Sequence, residues 1–304
     1  MKNKGKQYLG ALYCIIAAVV WGLSFVAQSI GMESVGTFTF NACRMLLGSV
    51  VLLPLIALRG RGKEKPDEQT KKAERKELIK AGLICGFILF VSSCLQQQAF
   101  AYLEVGKVGF ITALYMVLVP VFNLFAGKKA SLNVWIGVAL GAVGLYLLCV
   151  GDSGFSLETG DALTLCCAVG FAFHIIALDK FSKTTDPMKL SSMQFFVSGI
   201  FSTIFMLIFE EPTFSALSTA APSIIYAGVM SCGVAFTLQA FGQKYTDPAV
   251  ASLLLCLESA FSLLFGWLLL HQTLGKKALI GCAVMLTAVI LTQIQFAPKK
   301  KEKA

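Results

Sequence analysis

The sequence predicts an all-α integral membrane protein with ten transmembrane helices, and three observations support this fold class. A hydrocarbon core about 30 Å thick requires roughly 20 apolar residues in helical form. The composition is 56% hydrophobic and only 14% charged, with a mean hydropathy of +0.74. Apolar runs such as Leu253-Leu254-Leu255 do not alternate as barrel strands do. The ten apolar stretches are residues 9–28, 38–58, 79–103, 108–126, 132–150, 161–178, 191–209, 224–242, 249–270 and 278–295.

The distribution of charge predicts the orientation of these spans. If the N-terminus is cytoplasmic, 22 of the 26 Lys and Arg residues lie on the cytoplasmic side and three lie outside, with Arg44 inside the second span. This asymmetry is the positive-inside pattern. We therefore expect a multi-pass plasma-membrane protein with both termini in the cytoplasm. The first span is expected to remain as a helix, because its apolar run is longer than that of a signal peptide. The net charge of +9 then reflects topology, and no nucleic-acid partner is expected.

Cysteine and histidine usage predicts no metal site and no cofactor. All ten cysteines lie inside apolar stretches, none forms a C-x-x-C pair, and the two histidines are His174 and His271. Zinc sites and disulfide frameworks both require a spacing that the chain lacks. No Walker loop is present to bind a nucleotide. We interpret the cysteines as small apolar packing residues.

The ten spans divide into two halves of five, residues 1–151 and 152–304, with the basic tail at the end of the second half. Internal similarity between the halves is weak: Trp21 aligns with Phe171, and Tyr102 aligns with Tyr245. Because five is odd, the second half must lie inverted in the membrane relative to the first. Inverted repeats recur in secondary transporters, whose substrate site lies near the midplane.

Several short motifs, loose individually, occur in a specific order across the spans. They are Trp21-Gly22-Leu23-Ser24-Phe25-Val26, Asn41-Ala42-Cys43-Arg44, Leu118-Val119-Pro120-Val121, Leu257-Glu258-Ser259-Ala260, Gly266-Trp267-Leu268-Leu269-Leu270 and Leu279-Ile280-Gly281. In these residues the chain resembles the drug/metabolite transporter superfamily, specifically proteins built from two EamA-type repeats. The resemblance covers residues 10–292 and implies solute export in most relatives. The chain departs from the family at Glu258-Ser259, where Glu-Pro is common, and at His271-Gln272, where Gly-Glu is common.

Arg44 and Glu258 are the two charged residues predicted to lie deep in the membrane. Each costs several kcal/mol at that depth unless it is paired or hydrated. Both residues can line an aqueous cavity and bind opposite ends of a zwitterion, and Glu258 can alternatively carry a proton. The structural alternative is that they pair with each other or with backbone groups and stabilise helix packing.

Neutral side chains supply the remaining candidates for the site. Tyr115 aligns with Glu258 in the repeat, and Trp21 either lines the cavity or packs. His174 can relay protons or donate to a solute, or it is a hydrogen-bonded core residue. Gln96, Gln97 and Gln98 cover about 300° of a helix, so they cannot all face one cavity; we select Gln97. Asn41 is a further candidate, with Gln28, Gln194 and Gln239 similar to it.

The leading hypothesis is a secondary transporter of small metabolites such as amino acids, which works by alternating access without ATP. Its partners would be the solute, the lipid bilayer and a coupling proton, in a monomer or a homodimer. An intramembrane enzyme is one alternative, but it requires a nucleophile with a base or a metal at depth. Neither H-E-x-x-H nor G-x-S-x-G is present. A non-transporting membrane scaffold is the other alternative.

Overall fold

The computed structural model describes residues 4–60, 67–127, 130–149, 159–271 and 276–294, and within these ranges its regular structure is helical. The helices are α1 (Lys4–Met32), α2 (Thr37–Gly60), α3 (Glu68–Ala99), α4 (Val105–Ala113), α5 (Tyr115–Phe125), α6 (Leu132–Cys149), α7 (Thr159–Phe181), α8 (Pro187–Phe209), α9 (Phe214–Tyr226), π1 (Ala227–Phe236, a π-helix), α10 (Thr237–Tyr245), α11 (Pro248–Leu255), α12 (Leu257–Leu270) and α13 (Lys276–Ile294). The predicted all-α membrane fold is confirmed.

The predicted spans correspond to helices, although their number depends on how two short helices are treated. In the described ranges, eight helical runs are long and apolar enough to cross a bilayer. The predicted fifth and tenth spans are α6 and α13, whose apolar stretches are shorter. The predicted boundary between the halves, at residues 151 and 152, lies outside the described residues. The division into two domains and the cytoplasmic location of the termini therefore remain predictions.

Contacts across the molecule follow a two-fold pattern. Helices α2 and α8 pack extensively on each other, as do α6 and α13, and these are equivalent spans of the two halves. The hydroxyl of Ser49 donates to the carbonyl of Ser192 at 2.9 Å, and the hydroxyl of Ser192 donates to the carbonyl of Ser49 at 3.1 Å. These partners are 143 residues apart, and so are Tyr115 and Glu258, which also bond to each other. These two contacts with the same separation indicate that the second and seventh spans, and the fourth and ninth spans, are related in the same way across the interface between the halves.

The fourth and ninth spans are broken at equivalent positions, where the sequence predicted continuous helices. The fourth span divides between α4 and α5 at Leu114, and the ninth divides between α11 and α12 at Cys256. Proline does not explain the breaks, because Pro120 lies six residues after the first and the second has no proline nearby. Both breaks lie where these spans approach each other. Interrupted helices in corresponding places of two repeats are typical of transporter binding sites.

The eighth span differs from its counterpart. It consists of α9, π1 and α10, and the ten-residue π-helix lies in its middle, whereas α3 is uninterrupted. The π segment packs closely on α2: a Cβ added at Gly228 would lie 2.7 Å from a side-chain carbon of Leu47. Because π-helical turns are rare and often occur at functional sites, the inward-facing residues of this segment are candidates for a functional role.

The two ends of the helix bundle carry opposite charge. The end that holds Arg59, Lys180, Lys189 and Lys244 is called the basic face, and Arg59 lies there over the ring of Phe241 at 5.0 Å. The opposite end is called the acidic face and carries Glu33, Glu104, Asp161, Glu210 and Glu211. The predicted orientation places the basic face in the cytoplasm.

Candidate functional site

A cavity lies at the level of the two helix breaks, between the halves. The space between its lining atoms is about 450 Å³, but the centre of a water molecule can occupy only about 30 Å³ of it. One water needs about 10–15 Å³ by that measure, so the cavity holds roughly two. It is lined by Trp21, Phe25, Gln28, Arg44, Ser93, Gln96, Thr112, Tyr115, Phe171, Ile175, Ser231, Phe236, Gln239, Leu255 and Glu258. The structure therefore shows a narrow polar and aromatic chamber.

Glu258 and Tyr115 meet in this cavity because the two breaks bring them together. Tyr115 is the first residue of α5, and Glu258 is the second residue of α12. The Tyr115 hydroxyl donates to Glu258 Oε1 at 2.9 Å, and Glu258 is only 4% exposed. One carboxylate oxygen thus has a partner from the opposite repeat, while the carboxyl group as a whole faces the cavity.

Arg44 enters the same cavity from α2. Its Nε donates to Asn41 Oδ1 at 2.7 Å, and its guanidinium lies 5.9 Å from the centre of the Phe40 ring. Within the described ranges neither Arg44 nor Glu258 forms an ion pair. The alternative that these two charges neutralise each other is therefore not what the structure shows. The terminal nitrogens of Arg44 make no hydrogen bond to the described residues.

Four other polar atoms on the cavity wall have no hydrogen-bond partner among the described residues. They are Trp21 Nε1, Gln28 Oε1, Ser93 Oγ and Gln239 Oε1. Each residue is at most 8% exposed. Buried polar groups without partners cost roughly 1–3 kcal/mol each, so such groups normally bind water or a ligand. The wall thus offers a hydrogen-bond donor from Trp21 and acceptors from Gln28 and Gln239. The Ser93 hydroxyl can act as a donor or as an acceptor.

Three predicted site residues lie behind the cavity wall. Asn41 accepts from Arg44 and donates to the carbonyl of Ser93 at 3.2 Å, so it orients the guanidinium. Gln97 donates to the carbonyl of Gln28 at 3.1 Å, and it is Gln96 that reaches the cavity. His174 bonds through Nε2 to Gln194 Oε1 at 3.0 Å.

The remaining predicted residues, Arg44, Glu258, Tyr115 and Trp21, all line the cavity. Sequence reasoning missed most of the aromatic wall, namely Phe25, Phe171 and Phe236. A signal for Phe171 was present, since it aligns with Trp21 in the internal repeat. Phe236 had no such signal because its place depends on the π-helical turn that precedes it.

Links between the halves close the acidic face above the cavity. Lys107 at the start of α4 lies 2.8 Å from the buried carboxylate of Asp161 at the start of α7. Glu210, which follows α8, accepts hydrogen bonds from the backbone N–H groups of Phe38 at 2.9 Å and Thr39 at 2.7 Å, and from the Thr39 hydroxyl at 2.6 Å. The carboxylate thereby satisfies the free donors at the start of α2. Both contacts join the two halves at this face.

Comparison with known proteins gives one consistent family. The model of the EamA-like transporter family matches the chain twice, over residues 8–150 and 158–294. An uncharacterized transporter of Archaeoglobus fulgidus is 28% identical over 294 residues, which cover 95% of this chain and 87% of the relative. The uncharacterized inner membrane transporter YedA of Escherichia coli is 24% identical, and the match covers 94% of this chain and 90% of the relative. A solved crystal structure with 18% identity superimposes with a TM-score of 0.76 over 94% of this chain and 96% of that one, which shows a shared fold.

Proposed function

The chain belongs to the EamA-like transporter family, and from this premise we propose that it is a secondary transporter of small zwitterionic metabolites such as amino acids. The membrane-spanning helices and the transporter relatives establish the coarser statement, a multi-pass membrane transporter. The solute class, the direction and the mechanism are our proposal. The observation that carries it is one cavity whose wall holds a carboxylate and a cation that forms no ion pair with the described residues.

The zwitterion is inferred from the hydrogen-bonding groups of the wall. The free terminal nitrogens of Arg44 and the Trp21 N–H donate, as an α-carboxylate requires. Glu258 and the amide oxygens of Gln28 and Gln239 accept, as an ammonium group requires. Arginine is well suited to a carboxylate because its planar fork can donate two parallel bonds. Neither end of such a solute would be buried without a partner.

Alternating access is the mechanism that the narrow chamber supports. A chamber with room for roughly two waters cannot admit an amino acid until one face opens. We propose that the inverted halves separate at one face at a time, with the broken fourth and ninth spans at the centre of the motion. If the basic face is cytoplasmic, an exporter binds its solute from the basic face and releases it at the acidic face.

Transport would be powered by the solute gradient or by a coupled proton, without ATP. Glu258 is the one carboxyl group among the described wall residues. It can bind the solute's ammonium group or carry a proton, and these two occupants exclude each other. Competition of this kind would couple the inward movement of a proton to the outward movement of the zwitterionic solute.

The experiment is a thermal-shift screen of the detergent-purified protein against a metabolite library, followed by counterflow in proteoliposomes. A solute that stabilises the folded protein by binding raises its melting temperature. We expect stabilisation by zwitterionic amino acids, and a smaller effect from their amides or decarboxylated analogues. Labelled solute should exchange across the liposome without ATP. If solutes lacking a carboxylate bind and exchange as well as zwitterions do, the proposed solute class is wrong.

The same liposomes test the two alternatives. An intramembrane enzyme would change the mass of the solute, and a scaffold would leave it outside the vesicle. We expect the solute to enter with its mass unchanged. One chain contains both halves, so we propose that a monomer suffices for transport, with a homodimer as the alternative. Light scattering of the purified protein decides between these two states.

A further inference from the structure

A second buried polar region lies on the far side of the cavity wall, toward the basic face. His174 on α7 and Gln194 on α8 form its centre, and both the His174 ring and the Gln194 amide are fully buried. With Gln194 Oε1 as the acceptor, His174 Nε2 carries the proton. His174 Nδ1 is then a free acceptor, Gln194 Nε2 a free donor, and neither atom has a hydrogen-bond partner among the described residues.

The region continues along one face of α8. At 100° per residue, positions 191, 194 and 198 fall within an arc of about 60°. The hydroxyls of Ser191 and Ser198 have no partner among the described residues, and both residues are fully buried. Ser192 lies outside the arc and is bonded to Ser49. The unpartnered groups therefore share one side of the helix, and the bonded serine lies on another.

Two apolar layers enclose the region. On the cavity side stands the ring of Phe236, which lies 4.6 Å from Trp21, 6.0 Å from His174 and 5.6 Å from Phe195 between ring centres. Toward the basic face lies a cluster of buried apolar residues from α3, α7, α8 and α10: Ala81, Cys85, Leu178, Phe181, Leu190 and Ala240. His174 and Gln194 thus lie between the Phe236 ring and this basic-face cluster.

Burying one of these polar atoms in a dry apolar core without a hydrogen bond would destabilise the protein by roughly 1–3 kcal/mol. Buried polar groups are normally satisfied by protein or by ordered water. The unpartnered atoms of His174, Ser191 and Gln194 lie in the parts of α7 and α8 that are nearer the basic face, and Ser198 lies at the middle of α8. Water at these atoms during part of the working cycle would supply the missing bonds.

We propose that this region, defined by His174, Ser191, Gln194 and Ser198, is a second polar compartment through which the solute passes between the cavity and the basic face, with Phe236 as the partition. The inference rests on the proposed transport of a zwitterion. His174 Nδ1 accepts a bond from the ammonium group in transit, and Gln194 Nε2 donates to the carboxylate. Phe236 is the last residue of π1, so a rearrangement of that π-helical turn displaces the ring and joins the two compartments.

The first test measures hydration directly and does not depend on transport. Radiolytic hydroxyl-radical footprinting of the full protein in lipid nanodiscs oxidises side chains that lie beside water. His271 is exposed and serves as the hydrated reference, and Phe40 is fully buried on α2 and serves as the dry reference. With oxidation rates normalised to the unfolded chain, we expect His174 to react at least tenfold faster than Phe40. Protection of His174 equal to that of Phe40 overturns the compartment.

The second test places the compartment on the solute's route. Gln194→Leu removes the free amide at nearly constant volume, and we expect at least a tenfold slower counterflow. The thermal shift caused by the solute should be retained, because the cavity wall is unchanged. Thr203→Val, a polar-to-apolar replacement on the same helix outside the arc, should exchange within twofold of the natural protein. Ser198→Ala is the second variant if Gln194→Leu does not fold.

The outcomes of the two tests separate the claims. A hydrated His174 with normal counterflow in Gln194→Leu, or in Ser198→Ala where that variant replaces it, means that the compartment is off the route, and the proposal is wrong. If the natural protein exchanges no solute, the proposed function fails while footprinting still decides whether the compartment exists. A hydrated His174 together with slow counterflow and retained binding supports the proposal.

Discussion

Replacing Glu210 should release the start of α2 and weaken the closure of the acidic face. The carboxylate accepts two backbone bonds and one hydroxyl bond, from 2.6 to 2.9 Å, across the interface between the halves. Hydrogen bonds to a charged group contribute about 1.5–3 kcal/mol each when buried. Glu210 is half-buried at the membrane edge, and water can reach the freed amides, so we reduce the total to about 2 kcal/mol.

This free energy predicts a measurable change in amide exchange. Since 1.4 kcal/mol corresponds to a factor of ten, about 2 kcal/mol corresponds to roughly a 30-fold faster exchange at Phe38 and Thr39. Hydrogen–deuterium exchange with mass spectrometry, on the protein in nanodiscs, measures it in the peptide that contains the start of α2. Glu210→Ala is the test variant. Glu211→Ala is the control, because it removes the same charge from the neighbouring residue, which is exposed and makes no hydrogen bond to α2 in the described structure. In this variant the amides at the start of α2 should exchange at the natural rate.

The reasoning is refuted if Glu210→Ala accelerates exchange less than threefold, or if Glu211→Ala has an equal effect. The second result would mean that general electrostatics near the membrane edge, and not the specific bonds, protect the helix start. A confirmed effect has a functional consequence as well. Weakening one of the links that close the acidic face should increase the fraction of molecules open there, and solute should then bind faster from that side.

Three further predictions concern the cavity and the basic face. Glu258→Gln should abolish the pH dependence of transport between about pH 5 and pH 8 while leaving thermal stability intact, and normal pH-dependent transport would remove Glu258 from any coupling role. Arg44→Ala should weaken binding of a carboxylate solute by about 10- to 100-fold, from the loss of a charged bond, but spare its amide analogue; calorimetry that finds equal losses would favour a packing role. Asp67, on the basic face, caps α3 through the Thr70 backbone N–H at 2.7 Å, and this bond holds the pKa of its carboxyl below the ordinary 3.8. Because the charged form makes the cap, its stabilisation is present above the unfolded-state pKa and is lost as pH falls through the lowered one. Amide protection in the first turn of α3 should therefore decline below about pH 4, and an equal decline in Asp67→Ala would contradict the cap.

The fold class could be predicted because it depends on composition and length. Span-length apolar stretches predict helices without reference to any partner, since backbone groups in lipid must bond within their own segment. The breaks at Leu114 and Cys256 could not be predicted in this way. No proline or glycine marks either position, and each break lies where one repeat approaches the other.

The candidate site could be predicted only for residues whose chemistry is unusual at their depth. Arg44 and Glu258 stand out in any apolar stretch, and Tyr115 follows from its repeat position. Gln96 and Gln97 were indistinguishable in sequence, because adjacent residues on a helix differ by only 100° and the helix rotation was unknown. Packing of α3 decided that Gln96 lines the cavity and Gln97 bonds to Gln28.

The amino-acid sequence alone determined that this is a helical membrane protein of the transporter family with two repeats. It also determined which charges the bilayer must accommodate, because hydrophobic length and charge asymmetry act on each segment independently. Only the tertiary structure decided that Tyr115 meets Glu258, that Arg44 forms no ion pair with the described residues, and that the Phe236 ring lies between Trp21 and His174. These facts depend on distances between segments far apart in the chain, which are set by how the two halves pack against each other.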